Sequence, residues 1–139
     1  MQPNLEILLV EDNPNDVELA LHAFRANRLA NDIRVARDGA EAIHLLFDAA
    51  APLRPKVILL DLKLPKVDGL DVLRRLKADP STRTIPVVVL TASQEERDVV
   101  ETYNLGVNSY IVKPIDFDQF TEAVRQLGLY WLLLNHPPS

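Results

Sequence analysis

The chain has 139 residues, of which 47% are hydrophobic and 25% charged, a length and mixture that suit one globular domain and exclude a disordered tail. It contains no cysteine, so disulfides, thiolate metal sites and thiol nucleophiles are excluded together. Its 20 acidic and 15 basic residues leave a net charge of −5, which argues against sequence-independent binding to nucleic acid.

Short apolar runs alternate with longer amphipathic segments. The first run, Leu5–Val10, reads as a strand; Asn13 then offers an N-cap, with Pro14 at the first helical position of a helix reaching about Asn27. Ile33–Ala36 reads as a second strand, followed by a helix from Gly39 to about Asp48. Val57–Leu60 is a third strand, and Gly69–Ala78 a helix with Leu70, Leu73 and Leu76 on one face. Ile85–Leu90 is a fourth strand; Ser93–Glu96 reads as a capping box opening a helix that Gly106 ends. Tyr110–Val112 is the fifth strand, and Asp116 opens a last helix with Gln119 in the reciprocal capping position. Three runs are nearly continuous in Val, Ile and Leu, as in strands buried on both faces, whereas the second and fifth are short, as suits edges. Five βα units with right-handed crossovers predict an α/β, doubly wound, flavodoxin-like parallel sheet of five strands in the order 2-1-3-4-5.

In such a sheet ligands bind beyond the carboxyl ends of the strands. There the first strand runs into Glu11 and Asp12, the third ends at Asp61, the fourth at Thr91 and the fifth at Lys113. Three carboxylates held together repel one another unless a cation intervenes, and oxygen donors without His or Cys suit Mg²⁺. The same cation would offset the charge of a phosphoryl group reaching Asp61, a carboxylate able to act as nucleophile. Thr91 and Lys113 could then bind the equatorial oxygens.

These residues make the chain recognisable. Glu11-Asp12, the segment Asp61-Leu62-Lys63-Leu64-Pro65-Lys66-Val67-Asp68-Gly69, Leu90-Thr91-Ala92 and Tyr110-Ile111-Val112-Lys113-Pro114 resemble the receiver domain of bacterial two-component response regulators. The resemblance implies that Asp61 accepts phosphate from a phosphohistidine of a sensor histidine kinase. It also implies that Glu11, Asp12, Asp61 and the backbone carbonyl of Lys63 hold Mg²⁺, and that Thr91 and Tyr110 form a switch pair. Val10–Asp16, Lys77–Pro80 leading to Ile85–Val87, and Tyr130–Asn135 resemble more narrowly the stand-alone receivers of phytochrome-type kinases. Position 63, often Asn in the family, is Lys here, beside the route of an attacking water.

Residues 1–128 are thus expected to form the receiver, and 129–139 an apolar extension without a separate effector domain. Output would be a switched protein-interaction surface; service as a phosphorelay intermediate or phosphate sink is the alternative. The first helix is apolar on more than one stripe, and the resemblance implies that one flank docks the kinase. Phe117, Phe120, Val124, Leu127, Trp131 and Leu134 step by three and four, and Tyr130 adds to them. This seam predicts a homodimer through Phe120, Leu127, Tyr130, Trp131 and Leu134. The N-terminus lacks a basic leader and no apolar run nears the ~20 residues of a membrane span. A cytoplasmic protein without membrane or nucleic-acid partners is therefore expected. Two rivals are weaker: an aspartate-nucleophile phosphatase would need an acid/base where Lys63 stands, and a flavodoxin would not place Glu11–Asp16 against FMN phosphate.

Overall fold

A computed structural model of the chain describes residues 7–26, 33–64, 68–107, 109–113, 118, 119 and 122. Five parallel strands, β1 (Ile7–Val10), β2 (Ile33–Ala36), β3 (Val57–Asp61), β4 (Val87–Thr91) and β5 (Ser109–Val112), form one sheet in the order β2-β1-β3-β4-β5. Pairing is in register with the carboxyl ends level: Val10 lies opposite Ala36 and Leu60, Asp61 opposite Leu90, and Thr91 opposite Val112. Every residue of β1, β3 and β4 is buried, whereas β2 and β5 each keep exposed or half-buried positions. The expected division into three central and two edge strands therefore holds. Each fully buried Leu, Ile or Val of the centre contributes roughly 1.5–3 kcal/mol.

The helices start where their caps dictate. In α1 (Pro14–Ala26) the Asn13 carbonyl oxygen Oδ1 accepts the N–H groups of Asn15 and Asp16 at 2.9 and 3.2 Å. α2 (Gly39–Ile43) has an N-terminal box not recognised from sequence. Asp38 accepts the Glu41 N–H, while Glu41 Oε1 accepts that of Arg37, both at 2.7 Å. The same segment continues as a π-helical turn, His44–Asp48, closed by the Ala49 N–H on the His44 carbonyl. α3 (Gly69–Ala78) is capped by Asp68 and buries Val72, Leu73 and Leu76. In α4 (Gln94–Thr102) Ser93 caps Glu96 as expected, but the Glu96 carboxylate returns to the N–H of Ala92 instead of Ser93.

Several boundaries differ from the sequence reading: β3 and β4 run one residue further, to Asp61 and Thr91, β5 starts one residue earlier, at Ser109, and two others shift by more. β4 begins at Val87, not Ile85: the Ile85 N–H is spent on the Thr82 carbonyl, Pro86 has none, and the ladder starts where the Pro86 carbonyl accepts the Ile58 N–H. α4 stops at Thr102, not at Gly106, because Asn104 takes a left-handed φ of 50° and turns the chain before Gly106 (φ 73°) does so again. Of the expected last helix only residues 118, 119 and 122 are described, and they are helical; the tail and the dimer residues Phe120, Leu127, Tyr130, Trp131 and Leu134 lie outside the described residues. Among the described residues no helix is long and apolar enough to cross a membrane.

Candidate functional site

Because the strand ends are level, the residues that follow them must meet. Glu11 and Asp61 are buried, the latter only 4% exposed, and Asp12 is exposed. One carboxylate oxygen from each of Glu11, Asp12 and Asp61 lies within 4.8 Å of the others. Lys113 reaches in from the end of β5, its Nζ 2.8 Å from Asp61 Oδ2 and 2.8 Å from Glu11 Oε1. Its backbone is fixed by donation of its N–H to the Thr91 carbonyl at 2.8 Å. Asp61 Oδ1 accepts the Lys63 N–H at 3.2 Å, and Glu11 Oε2 that of Asn13 at 3.2 Å.

The electrostatics of this cluster are not balanced. Two unit charges 4 Å apart at an effective dielectric of about 20 interact by about 4 kcal/mol, and one ammonium serves several carboxylates here. Burial, reinforced by the neighbouring Asp61 carboxylate, pushes the Glu11 carboxyl up to about 7 despite Lys113 and the Asn13 N–H. For Lys113, burial alone would favour the neutral amine, but the paired Asp61 and Glu11 carboxylates outweigh it and hold the ammonium above its ordinary value. Glu11 Oε1 meets that ammonium as an ion pair without an aligned hydrogen bond, and the fully buried Thr91 Oγ1 has no hydrogen-bond partner among the described residues. An all-oxygen donor set, surplus negative charge and under-satisfied buried oxygens fit a hard divalent cation and an oxyanion beside it.

The loop after β3 is shaped by one close approach. Gly69 donates its N–H to the Leu62 carbonyl at 3.0 Å, and a Cβ there would stand 2.2 Å from the Asp61 carbonyl oxygen and 2.7 Å from Leu62 Cα. Only glycine lets α3 start against the backbone that carries Asp61. A match to the family model of the response regulator receiver domain spans residues 7–125. The chain belongs to this family.

The receiver is 40% identical over 135 residues to the probable methanogenesis regulatory protein FilR2 of Methanothrix harundinacea, covering 96% of this chain and 87% of that one. It is 38% identical over 134 residues to response regulator Rcp1 of Synechocystis, covering 94% and 90%. Among solved structures it resembles the bacteriophytochrome response regulators RtBRR (51% identity, TM-score 0.87, 98% of this chain and 85% of that one) and AtBRR (52%, 0.85, 96% and 100%). The Mn²⁺-bound form of Rcp1 matches with a TM-score of 0.74 at 36% identity, over 99% and 100% of the two chains. Aspartate phosphorylation with Mg²⁺ is typical of these receivers, which are signalling partners of sensor histidine kinases and not classical enzymes.

Of the residues expected in the receiver's site, Glu11, Asp12, Asp61, Thr91 and Lys113 come together at the carboxyl edge. Lys63 reaches Asp61 through its backbone N–H at 3.2 Å, while its side chain is 79% exposed and pairs with Glu96 at 3.5 Å. Tyr110 is not in the carboxylate cluster. It sits opposite Val89, two residues before Thr91, so it shares that threonine's face of the sheet. Its ring lies 4.6 Å from the Arg97 guanidinium. Sequence reasoning missed Asp16, whose Oδ2 is 3.3 Å from Lys113 Nζ. The available signal was its place one helical turn beyond Asp12, in the first turn of α1.

Proposed function

We propose that Asp61 is the phosphoacceptor and that a phytochrome-type sensor histidine kinase supplies the phosphoryl group. The single observation that carries this is the convergence of Glu11, Asp12 and Asp61 around one point with Lys113 held on Asp61. A carboxylate oxygen of Asp61 attacks phosphorus, the O–P bond forms, and the P–N bond to imidazole breaks with its electron pair returning to nitrogen. Glu11, Asp12, Asp61 and the Lys63 carbonyl would hold Mg²⁺, which when bound offsets the charge of the carboxylates and of the incoming group. Lys113 and the Thr91 hydroxyl, unpartnered among the described residues, bind equatorial oxygens, charge-assisted bonds contributing about 1.5–3 kcal/mol each.

Phosphorylation then biases a two-state surface. Drawing Thr91 toward the phosphoryl group frees space on the face it shares with Tyr110, which lines a depression with Val100, Leu105 and Val107. The flank of α1 where Leu19 is 51% exposed, beside Asn15, Glu18 and His22, is the kinase-docking side. A cytoplasmic homodimer through the last helix and tail completes the reading. The strong likeness to the two bacteriophytochrome response regulators supports the choice of kinase class. The outward-facing Lys63, tied to Glu96, supports a phosphoacceptor over a phosphatase, since that position carries no acid/base directed at Asp61.

Incubation with acetyl phosphate and Mg²⁺, followed by intact mass, tests the proposal. One labile phosphate is expected on the wild type and none on Asp61→Asn or in EDTA. Labelling that survives either change would overturn it.

A further inference from the structure

We propose that Asp16 is a positioning residue for phosphoryl transfer, a second berth that lets the Lys113 ammonium leave Asp61 without leaving the site. The inference rests on the phosphoacceptor reading of Asp61. Both oxygens of that carboxylate are engaged, Oδ1 by the Lys63 N–H at 3.2 Å and Oδ2 by Lys113 at 2.8 Å. An oxygen held this closely by an ammonium is a poor nucleophile, so Lys113 must move toward the oxygens of the incoming group before or as the O–P bond forms. An ammonium released into a site of several carboxylates needs a counter-charge along its path.

Lys113 pairs with three carboxylates among the described residues: Asp61, Glu11 and Asp16. The first two belong to the converging set suited to a cation, whereas Asp16 does not. Asp16 is therefore the partner that stays available when the others are claimed. Its position is built for this role. The Asp16 N–H is held by Asn13 Oδ1 at 3.2 Å at the start of α1, so the carboxylate sits on a rigid helix end. Both side chains are about four-fifths covered, at 24% and 21% exposure, so water is a limited substitute for the pair. The separation of 3.3 Å, against 2.8 Å for the other two, marks Asp16 as the looser partner and leaves the ammonium room to turn.

The test measures labelling by acetyl phosphate in saturating Mg²⁺ for Asp16→Ala, Asp16→Asn and Asp16→Glu, each with and without Lys113→Ala. Removing a berth that acts only during transfer should lower the maximal rate about tenfold and leave half-saturation by acetyl phosphate within about twofold. Mg²⁺ affinity by calorimetry should likewise stay within about twofold, and Asp16→Glu should restore most of the rate. In the Lys113→Ala background, loss of Asp16 should cost nothing further, since the two act as one unit. Should Asp16→Ala reduce thermal stability, the isosteric Asn variant carries the measurement. A wild-type rate in both Asp16→Ala and Asp16→Asn, an equal loss with and without Lys113, or a fall in Mg²⁺ affinity that matches the rate loss would each overturn the inference. An unlabelled wild-type Asp61 would overturn the phosphoacceptor reading and this inference with it, whereas a labelled wild type insensitive to Asp16 would overturn this inference alone.

Discussion

Two buried threonines stand at opposite ends of the same part of the sheet. Thr82, before β4, donates its hydroxyl to the Leu76 carbonyl at 2.8 Å, and beside it Arg54 bonds the Leu46 and Leu53 carbonyls and Ser81 Oγ. Thr91, at the other end of β4, is equally inaccessible, yet its hydroxyl meets no partner among the described residues, and at the same edge three described carboxylates share the Lys113 ammonium. At the amino end, polar groups tie loops to the last turn of α3 and the π-helical turn. At the carboxyl end, Glu11 Oε1 and Thr91 Oγ1 have no hydrogen-bond partner among the described residues. Under the proposed function, the second region gives up stability that a cation and a phosphoryl group would restore, the usual arrangement where a site must bind something.

The largest expected effect sharpens this contrast at the join between backbone and site. Gly69→Ala places a Cβ against the backbone of Asp61 and Leu62, so it should lower unfolding free energy by about 3 kcal/mol in urea titration and suppress labelling of Asp61. Unchanged stability would show that the loop relaxes freely and that Gly69 does not shape it.

Thr82→Val should cost about 1–2 kcal/mol, since its buried hydrogen bond is lost, and leave labelling by acetyl phosphate at the wild-type level. A labelling defect would break the division between the two ends.

Proton competition should appear at the carboxyl end next. Glu11 binds its proton more tightly in the folded protein, about 7 against 4.5, so its protonated form stabilises the metal-free fold. That contribution is complete below about 4.5 and is lost as pH rises through about 7. A cation needs the ionised form. Mg²⁺ affinity by calorimetry should therefore rise about tenfold between about pH 6 and about pH 8, with proton release near neutrality. A flat profile would remove Glu11 from the metal set.

The smallest change in stability is expected for Thr91→Val, within about 1 kcal/mol of wild type and of either sign, because its hydroxyl makes no hydrogen bond among the described residues. Its effect should fall on the phosphorylated state instead, seen as a faster loss of label. A loss of stability like that of Thr82→Val would erase the contrast.

Much of the architecture was legible from residue order. The stretches Ile7–Val10, Val57–Leu60 and Val87–Leu90 are apolar at consecutive positions because both faces of a central parallel strand are covered, and they are buried throughout. The edges were legible from brevity, and α1 and α3 from caps and periodicity. Where the reading failed, competition for backbone groups decided the outcome, as at Ile85, whose N–H goes to a turn, and at Asn104, which takes a left-handed conformation ahead of Gly106. In the site, Glu11, Asp12, Asp61, Thr91 and Lys113 could be found because each ends or follows a strand, and a parallel sheet brings such ends together.

Asp16 and Gly69 show where order along the chain stops being informative about roles. The Asp16 carboxylate lies 97 residues from the lysine it holds, on a helix whose rotation about its axis depends on packing. Gly69 matters through the space its missing Cβ leaves over Asp61, a clearance set by how α3 docks. Hydrophobic period and strand order alone thus determined the fold and which chemical groups gather at its edge, because both are local and repeat. Which oxygen faces which ammonium, and which buried hydroxyl is left without a partner, was decided only by tertiary packing, because hydrogen bonds and ion pairs depend on fractions of an ångström.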